Sequence, residues 1–314
     1  MNKKNKSGSY TVYSFLPRIS GKIRFAAYRF IAAALIMYTV PSSVSAIFAF
    51  DWPRSAEYIG VFFAEKQADV FNRGLIFNTP SEVKTADSGR ILITVRNDFE
   101  NTALFPSTLG QALIVEHKNR IFTVYGGLEK ITADAAFTEN GSLEKEALIG
   151  ISGNSGWKKE NQSLEFQVID RHIKAVINPL LLMEAPAQPK RFIIRNPIAV
   201  SKAGTVIPLS KGIKLAAGTY TLYSAIIEGT MPYTTEVSVN GSLIEKIDYN
   251  ALKSHNEKIC IQGHTQYDFH AIYTGNGTFR LADISLSKGK NTIDIKITDI
   301  GGRESISHLP LTVF

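Results

Sequence analysis

The stretch SLEFQVIDRHIKAVINPLLL, Ser163–Leu182, holds two strands and the turn between them. Leu164–Ile169 and Lys174–Ile177 are short runs of strand-forming residues, and the polar segment around Asp170–His172 is an exposed turn. Outward from here the same signature recurs at Arg90–Val95, Ala112–His117, Ile121–Tyr125 and Ala147–Ile151. Turn signals separate the runs at Asp87-Ser88-Gly89, Asn140-Gly141 and Gly153-Asn154-Ser155-Gly156. This spacing predicts an all-β domain of packed antiparallel strands up to residue 183.

The segment EAPAQPKR, Glu184–Arg191, carries two prolines and small residues, so residues 184–190 read as a short, stiff linker. Beyond it the periodicity is clearer. In NTIDIKIT, Ile293, Ile295 and Ile297 face one way while Thr292, Asp294, Lys296 and Thr298 face the other, the mark of a half-buried strand. TEVSVNGSLIEKI repeats the alternation around Asn240-Gly241, a short-hairpin signal. With GTYTLYSAIIEG and GTFRLADISLSKGKNTI, residues 191–314 predict an immunoglobulin-like β-sandwich whose strands close their own sheets. Neither region offers a long amphipathic helix.

The 314 residues carry 35 Lys and Arg against 28 Asp and Glu, a net charge of +7. All of that excess lies in residues 1–46, which contain Lys3, Lys4, Lys6, Arg18, Lys22, Arg24 and Arg29 and no acidic residue. The rest of the chain is balanced and cannot grip phosphate by releasing counterions, which excludes nucleic acid as the partner. The basic leader precedes the uncharged run Phe30–Val40 and the small-x-small site Val44-Ser45-Ala46. It reads as a secretory signal peptide cleaved after Ala46, placing the mature protein in the periplasm or cell envelope. The alternative is a retained N-terminal anchor over Phe25–Phe50 with Arg29 snorkelling, because Phe30–Val40 alone is too short for ~30 Å of hydrocarbon. Cys260 is the lone cysteine and reads as a small buried hydrophobe.

Five segments carry a resemblance, in register, over about residues 70–182. They are RGLIFNTPSEVKTADSGRIL, LGQALIVEHKNRIFTVYGGLEKI, EALIGISGNSG, SLEFQV and VINPLLLM. Together they resemble the lysostaphin/LytM-type zinc endopeptidases of peptidoglycan, with their duplicated-hybrid-motif barrel-sandwich fold. The resemblance implies a zinc site built from a His-x-Gly-x-Asp opening and a His-x-His strand, assisted by a further histidine. Carried over residue by residue, those positions hold Asn72, Ile76, Gly127, Ser163 and Glu165. Isoleucine binds no metal, glycine has no side chain, and serine is a poor acid or base. Catalytic zinc needs about three protein ligands and an open position, so this chain reads as a degenerate member without zinc or other cofactor, and not as an enzyme. No histidine precedes His117, so no shift of register restores the first ligand. His117 matches a non-ligating position and His172 lies beyond the last ligand strand.

Other constellations carry less. His255, Cys260, His264 and His270 match no zinc-module spacing, and strand alternation separates them. Ser152–Trp157 lacks the lysine of a phosphate loop and reads as a glycine turn. Tyr220, Tyr223, Phe269, Tyr273 and Phe279 read as sandwich core rather than a carbohydrate platform. The expected function is that of an exported pseudo-peptidase, whose vacated groove at Asn72, Ile76, Gly127, Ser163 and Glu165, with Tyr125 and Trp157 beside it, binds a partner. Gly127 is expected to open space in that groove. The resemblance implies a cell-wall hydrolase or amidase as that partner; the alternatives are passive attachment to peptidoglycan or another envelope protein, or an unorthodox active peptidase. A membrane is a partner only if the leader is retained.

Overall fold

The computed structural model describes residues 50–96, 107–132, 141–156, 162–184, 186, 192–227 and 230–314. The expected leader and cleavage site, Trp157 and most of the expected linker at 184–190 lie outside the described residues.

The fold is all-β. In the first region, Leu75–Asn78, Gln162–Asp170, Ile121–Ile131, Gln111–Glu116 and Gly89–Val95 lie side by side, each antiparallel to the next. Leu148–Ser152 pairs with the far end of Ile121–Ile131 and with Glu82–Lys84. Along Gln162–Asp170, period-two alternation sends Leu164, Phe166 and Val168 into a core with Leu75, Phe77, Leu113, Val115 and Tyr125. Each such large side chain fully withdrawn from water contributes on the order of 1.5–3 kcal/mol. Ser163, Glu165 and Gln167 are the residues between.

The second region is a β-sandwich. One sheet contains Val206–Pro208, Ile198–Ser201, Gly218–Ala225 and Thr278–Leu286. The other contains Gln266–Asp268, Lys258–Gln262, Ser242–His255, Thr234–Val239, Gly289–Thr298 and Glu304–Val313. Ile293, Ile295 and Ile297 are buried between the sheets, as their spacing predicts. Asn240 and Gly241 both take left-handed backbone angles, φ 52° and 81°, which the two-residue hairpin requires.

The expectation that each region closes its own sheets is not met. Ala175–Ile177 pairs antiparallel with residues 251–253 of the second region, so one sheet runs through both. Phe63, Ala64 and Phe71 of the first region belong to the hydrophobic core of the second. Phe71 arrives there on a hairpin of Lys66–Gln67 and Val70–Phe71, and its ring meets those of Phe269 and Tyr273 at 5.4 and 5.8 Å. The Tyr273 hydroxyl donates to the Ala64 carbonyl at 2.8 Å. The physical reason is that a short exposed hairpin buries its apolar residues only against a neighbour, and the sandwich supplies one. Among the described residues no helix is long and apolar enough to cross a membrane.

Candidate functional site

Directly paired residues share a face of the sheet. Glu165 pairs with Ile76 on one side and Gly126 on the other, and Gly126 pairs with Ala112. The next row on that face is Gln167, Val124 and Ile114. This face lies opposite the core and carries Ile76 and Glu165, two of the five positions that the resemblance singles out. Its polar centre is Glu165, whose carboxylate accepts a hydrogen bond from the Gln167 amide at 2.5 Å.

The five predicted positions divide. Ile76 and Glu165 are brought together as strand neighbours, and Ser163 precedes them beside an irregularity in register. Ile76 and Ser163 are 6% and 2% exposed, whereas Glu165 is half-buried. Asn72 is 5% exposed, and both hydrogens of its amide are committed, to the carbonyls of Phe62 and Gly74 at 2.8 Å each. These two bonds staple the chain before Leu75–Asn78. Gly127 sits at φ 75° where the register slips between Gln111↔Leu128 and Ala112↔Gly126, the extra residue of a β-bulge. Its N–H donates to the Leu109 carbonyl at 2.7 Å, and its carbonyl accepts from the Gly153 N–H at 2.8 Å.

One expectation is corrected here, and Gly127 is a buried glycine whose left-handed backbone accounts for the residue type. A Cβ placed on Gly126 would meet the Leu109 side chain at 3.3 Å and its carbonyl at 3.2 Å. Tyr125 is no groove neighbour: it pairs with Phe166 on the core face, fully buried, and its hydroxyl accepts the Ala86 N–H at 2.8 Å. Burial pushes that phenol up to about 12. The alternation of Ile121–Ile131 decides the placement of Tyr125. Leu109 and Gln167 are site residues that the sequence reading passed over; LGQALIVEH and SLEFQV contain them but give no hint of which face each meets.

These residues do not fit the zinc ion that the resemblance implies. A committed amide, an isoleucine, a bulge glycine, a serine and one carboxylate supply no three-ligand set. Among the described residues no group of three or more His, Cys, Asp and Glu gathers anywhere, the His255–His270 segment included. There Cys260 is buried while His255, His264 and His270 are exposed. Tyr220, Phe269, Tyr273 and Phe279 are core, and Tyr223 is half-buried.

His117 belongs to the opposite face. Its Nδ1–H donates to the Ser88 carbonyl at 2.9 Å, and in the neutral ring Nε2 accepts from the Thr123 hydroxyl at 2.7 Å. Burial is the main cause holding this imidazole below its ordinary pKa, against opposing pulls from the Ser88 carbonyl and Asp87. The unfolded chain therefore binds the proton more readily. The contribution of His117 is complete above a pH of about 6.5 and is lost as pH falls toward the folded-state value. Thermal unfolding followed from pH 8 to 5 is expected to show a fall that His117→Gln flattens; an unchanged slope in that variant contradicts the assignment.

A protein-family model that carries no functional description matches residues 191–314. Among curated proteins, an uncharacterised protein of Treponema pallidum (strain Nichols) is 27% identical over 121 residues, covering 36% of this chain and 82% of that protein. Among solved structures, the SpoIIQ–SpoIIIAH pore-forming complex contains a similar chain at 19% identity. The match covers 45% of this chain and 95% of that one, with a TM-score of 0.34. A zinc-containing peptidase from Vibrio cholerae is 21% identical, covering 42% of this chain and 39% of that one, with a TM-score of 0.33.

Proposed function

We propose that this protein is an exported, catalytically inactive LytM-like pseudo-peptidase that binds and regulates a peptidoglycan hydrolase in the cell envelope. The observation that carries this reading is the chemistry of the five inherited positions. Of these, Ile76 and Glu165 lie side by side on one sheet face, and only Glu165 combines a charge with access to solvent. A half-buried carboxylate beside the buried Ile76, Ala112 and Val124 can orient a partner through its charge rather than supply chemistry. The basic leader and its small-x-small site support export.

The test uses the purified mature protein, supplied with zinc. On peptidoglycan alone no cross-link cleavage is expected, and with a purified cell-wall amidase the amidase rate is expected to rise. Reversing the charge with Glu165→Lys should reduce that stimulation about tenfold while leaving the unfolding midpoint nearly unchanged. One zinc per chain, removable by chelator together with muralytic activity, overturns the reading. Binding to amidase or peptidoglycan without stimulation reduces the protein to a passive adaptor. Stimulation that survives Glu165→Lys moves the working surface off this face.

A further inference from the structure

The largest cavity among those described lies away from Glu165, where the Val70–Phe71 hairpin meets the sandwich. It measures about 240 Å³, against about 30 and 10 Å³ for two others, which have room for only a water or two. Its apolar lining is Val70, Phe71, Ile259 and Phe269, and Val70 is 56% exposed. Its charged lining contains two kinds of group. Lys258 and Asp268 neutralise each other, Nζ to Oδ2 at 2.5 Å, and the other oxygen of Asp268 accepts the Ala271 N–H at 2.9 Å. Asp69 and Arg73 are exposed and have no hydrogen-bond or ion-pair partner among the described residues. They flank the strand Val70–Phe71, one charge of each sign. The hairpin that presents them turns at Ala68 with a left-handed φ of 48°, a conformation a non-glycine residue adopts at a cost.

We propose that this cavity binds a short peptide with free termini and an apolar side chain. The apolar side chain would rest on Phe71, Ile259 and Phe269, the ammonium end would meet Asp69, and the carboxylate end would meet Arg73. Four residues of extended chain separate the two charges by at most about 13 Å at the backbone, which two side chains reaching inward shorten to the span of a di- or tripeptide. The volume, below that of a drug-sized site, limits the occupant to this size. Charge complementarity makes the ligand a zwitterion: a purely anionic or cationic ligand would leave one of the two uncommitted groups facing nothing.

Alanyl-leucine, its N-acetyl derivative and its C-terminal amide serve as probes, titrated into the full mature protein by calorimetry or by ¹H–¹⁵N spectra. The free dipeptide is expected to saturate with shifts at residues 69–73 and 258–270, and each blocked derivative to bind about tenfold more weakly, the loss of one charge-assisted contact. Asp69→Asn should erase the preference over the acetylated probe only, and Arg73→Gln the preference over the amide only. Both substitutions fall on exposed side chains, so the fold is preserved. No saturable binding up to millimolar dipeptide, equal binding of all three probes, or variants that keep both preferences would each overturn the assignment. None of these outcomes touches Glu165, so failure here is separate from failure of the regulatory reading.

Discussion

Phe71→Ala is expected to destabilise the protein by about 3–5 kcal/mol, the range for emptying a buried aromatic site. The ring is nearly fully buried and lies between Phe269 and Tyr273, in a core built otherwise almost wholly from residues 192–314. Its loss leaves a cavity that Phe269 cannot close, because Phe269 is held in a short helix, Phe269–Ile272, capped by Asp268. The effect should therefore register in the sandwich although the substitution lies in the first region. Denaturant unfolding followed by signals from both regions checks this: one transition, shifted for both, is the expected result. Val70→Ala, one residue away and exposed, should change stability by less than about 0.5 kcal/mol. A Phe71→Ala protein whose residues 192–314 unfold at the parental midpoint would show that the hairpin is only resting on the sandwich.

Gly74→Ala should cost about 3 kcal/mol, at the upper end of overpacking effects. A Cβ at this position would come within 2.1 Å of the Phe166 carbonyl oxygen and 2.9 Å of its carbon. That carbonyl belongs to the Gln162–Asp170 strand, paired on both edges, so it cannot retreat without breaking a ladder. The wedge also falls beside the pairing of Glu165 with Ile76, so the candidate site should lose its geometry together with stability. Gly275→Ala is the matching control, since nothing lies within 4 Å of its would-be Cβ; it should be near neutral or slightly stabilising. Equal unfolding midpoints for the two variants would mean that the strands around Gly74 part more readily than their pairing implies.

Much of this was legible before any coordinates. The strands at Arg90–Val95, Ala112–His117 and Leu164–Ile169 appear within a residue or two of their expected limits, because runs of strand-forming residues bounded by turn signals mark them. Ile293, Ile295 and Ile297 announce their core by strict period-two alternation, and Asn240-Gly241 announces its turn because few other pairs tolerate two left-handed angles. The resemblance picks out Asn72, Ile76 and Glu165 by motif spacing, and the structure sets Ile76 and Glu165 side by side on neighbouring strands.

By itself the sequence determined the all-β class, the run of strands, the neutral body behind a basic N-terminal stretch, and the identities at the positions that the resemblance singles out. Local periodicity and composition carry those facts, and they need no partner segment to be read. Only the tertiary structure decided that Phe71 completes the other region's core, that Ala175–Ile177 extends the other region's sheet, and that Leu109 covers Gly126. It also put Tyr125 in the core rather than in the groove, gave Asn72 to two carbonyls, and set Asp69 and Arg73 around one cavity. Each of these depends on which distant segment a side chain meets, and neither periodicity nor motif spacing encodes contact between segments so far apart in the chain.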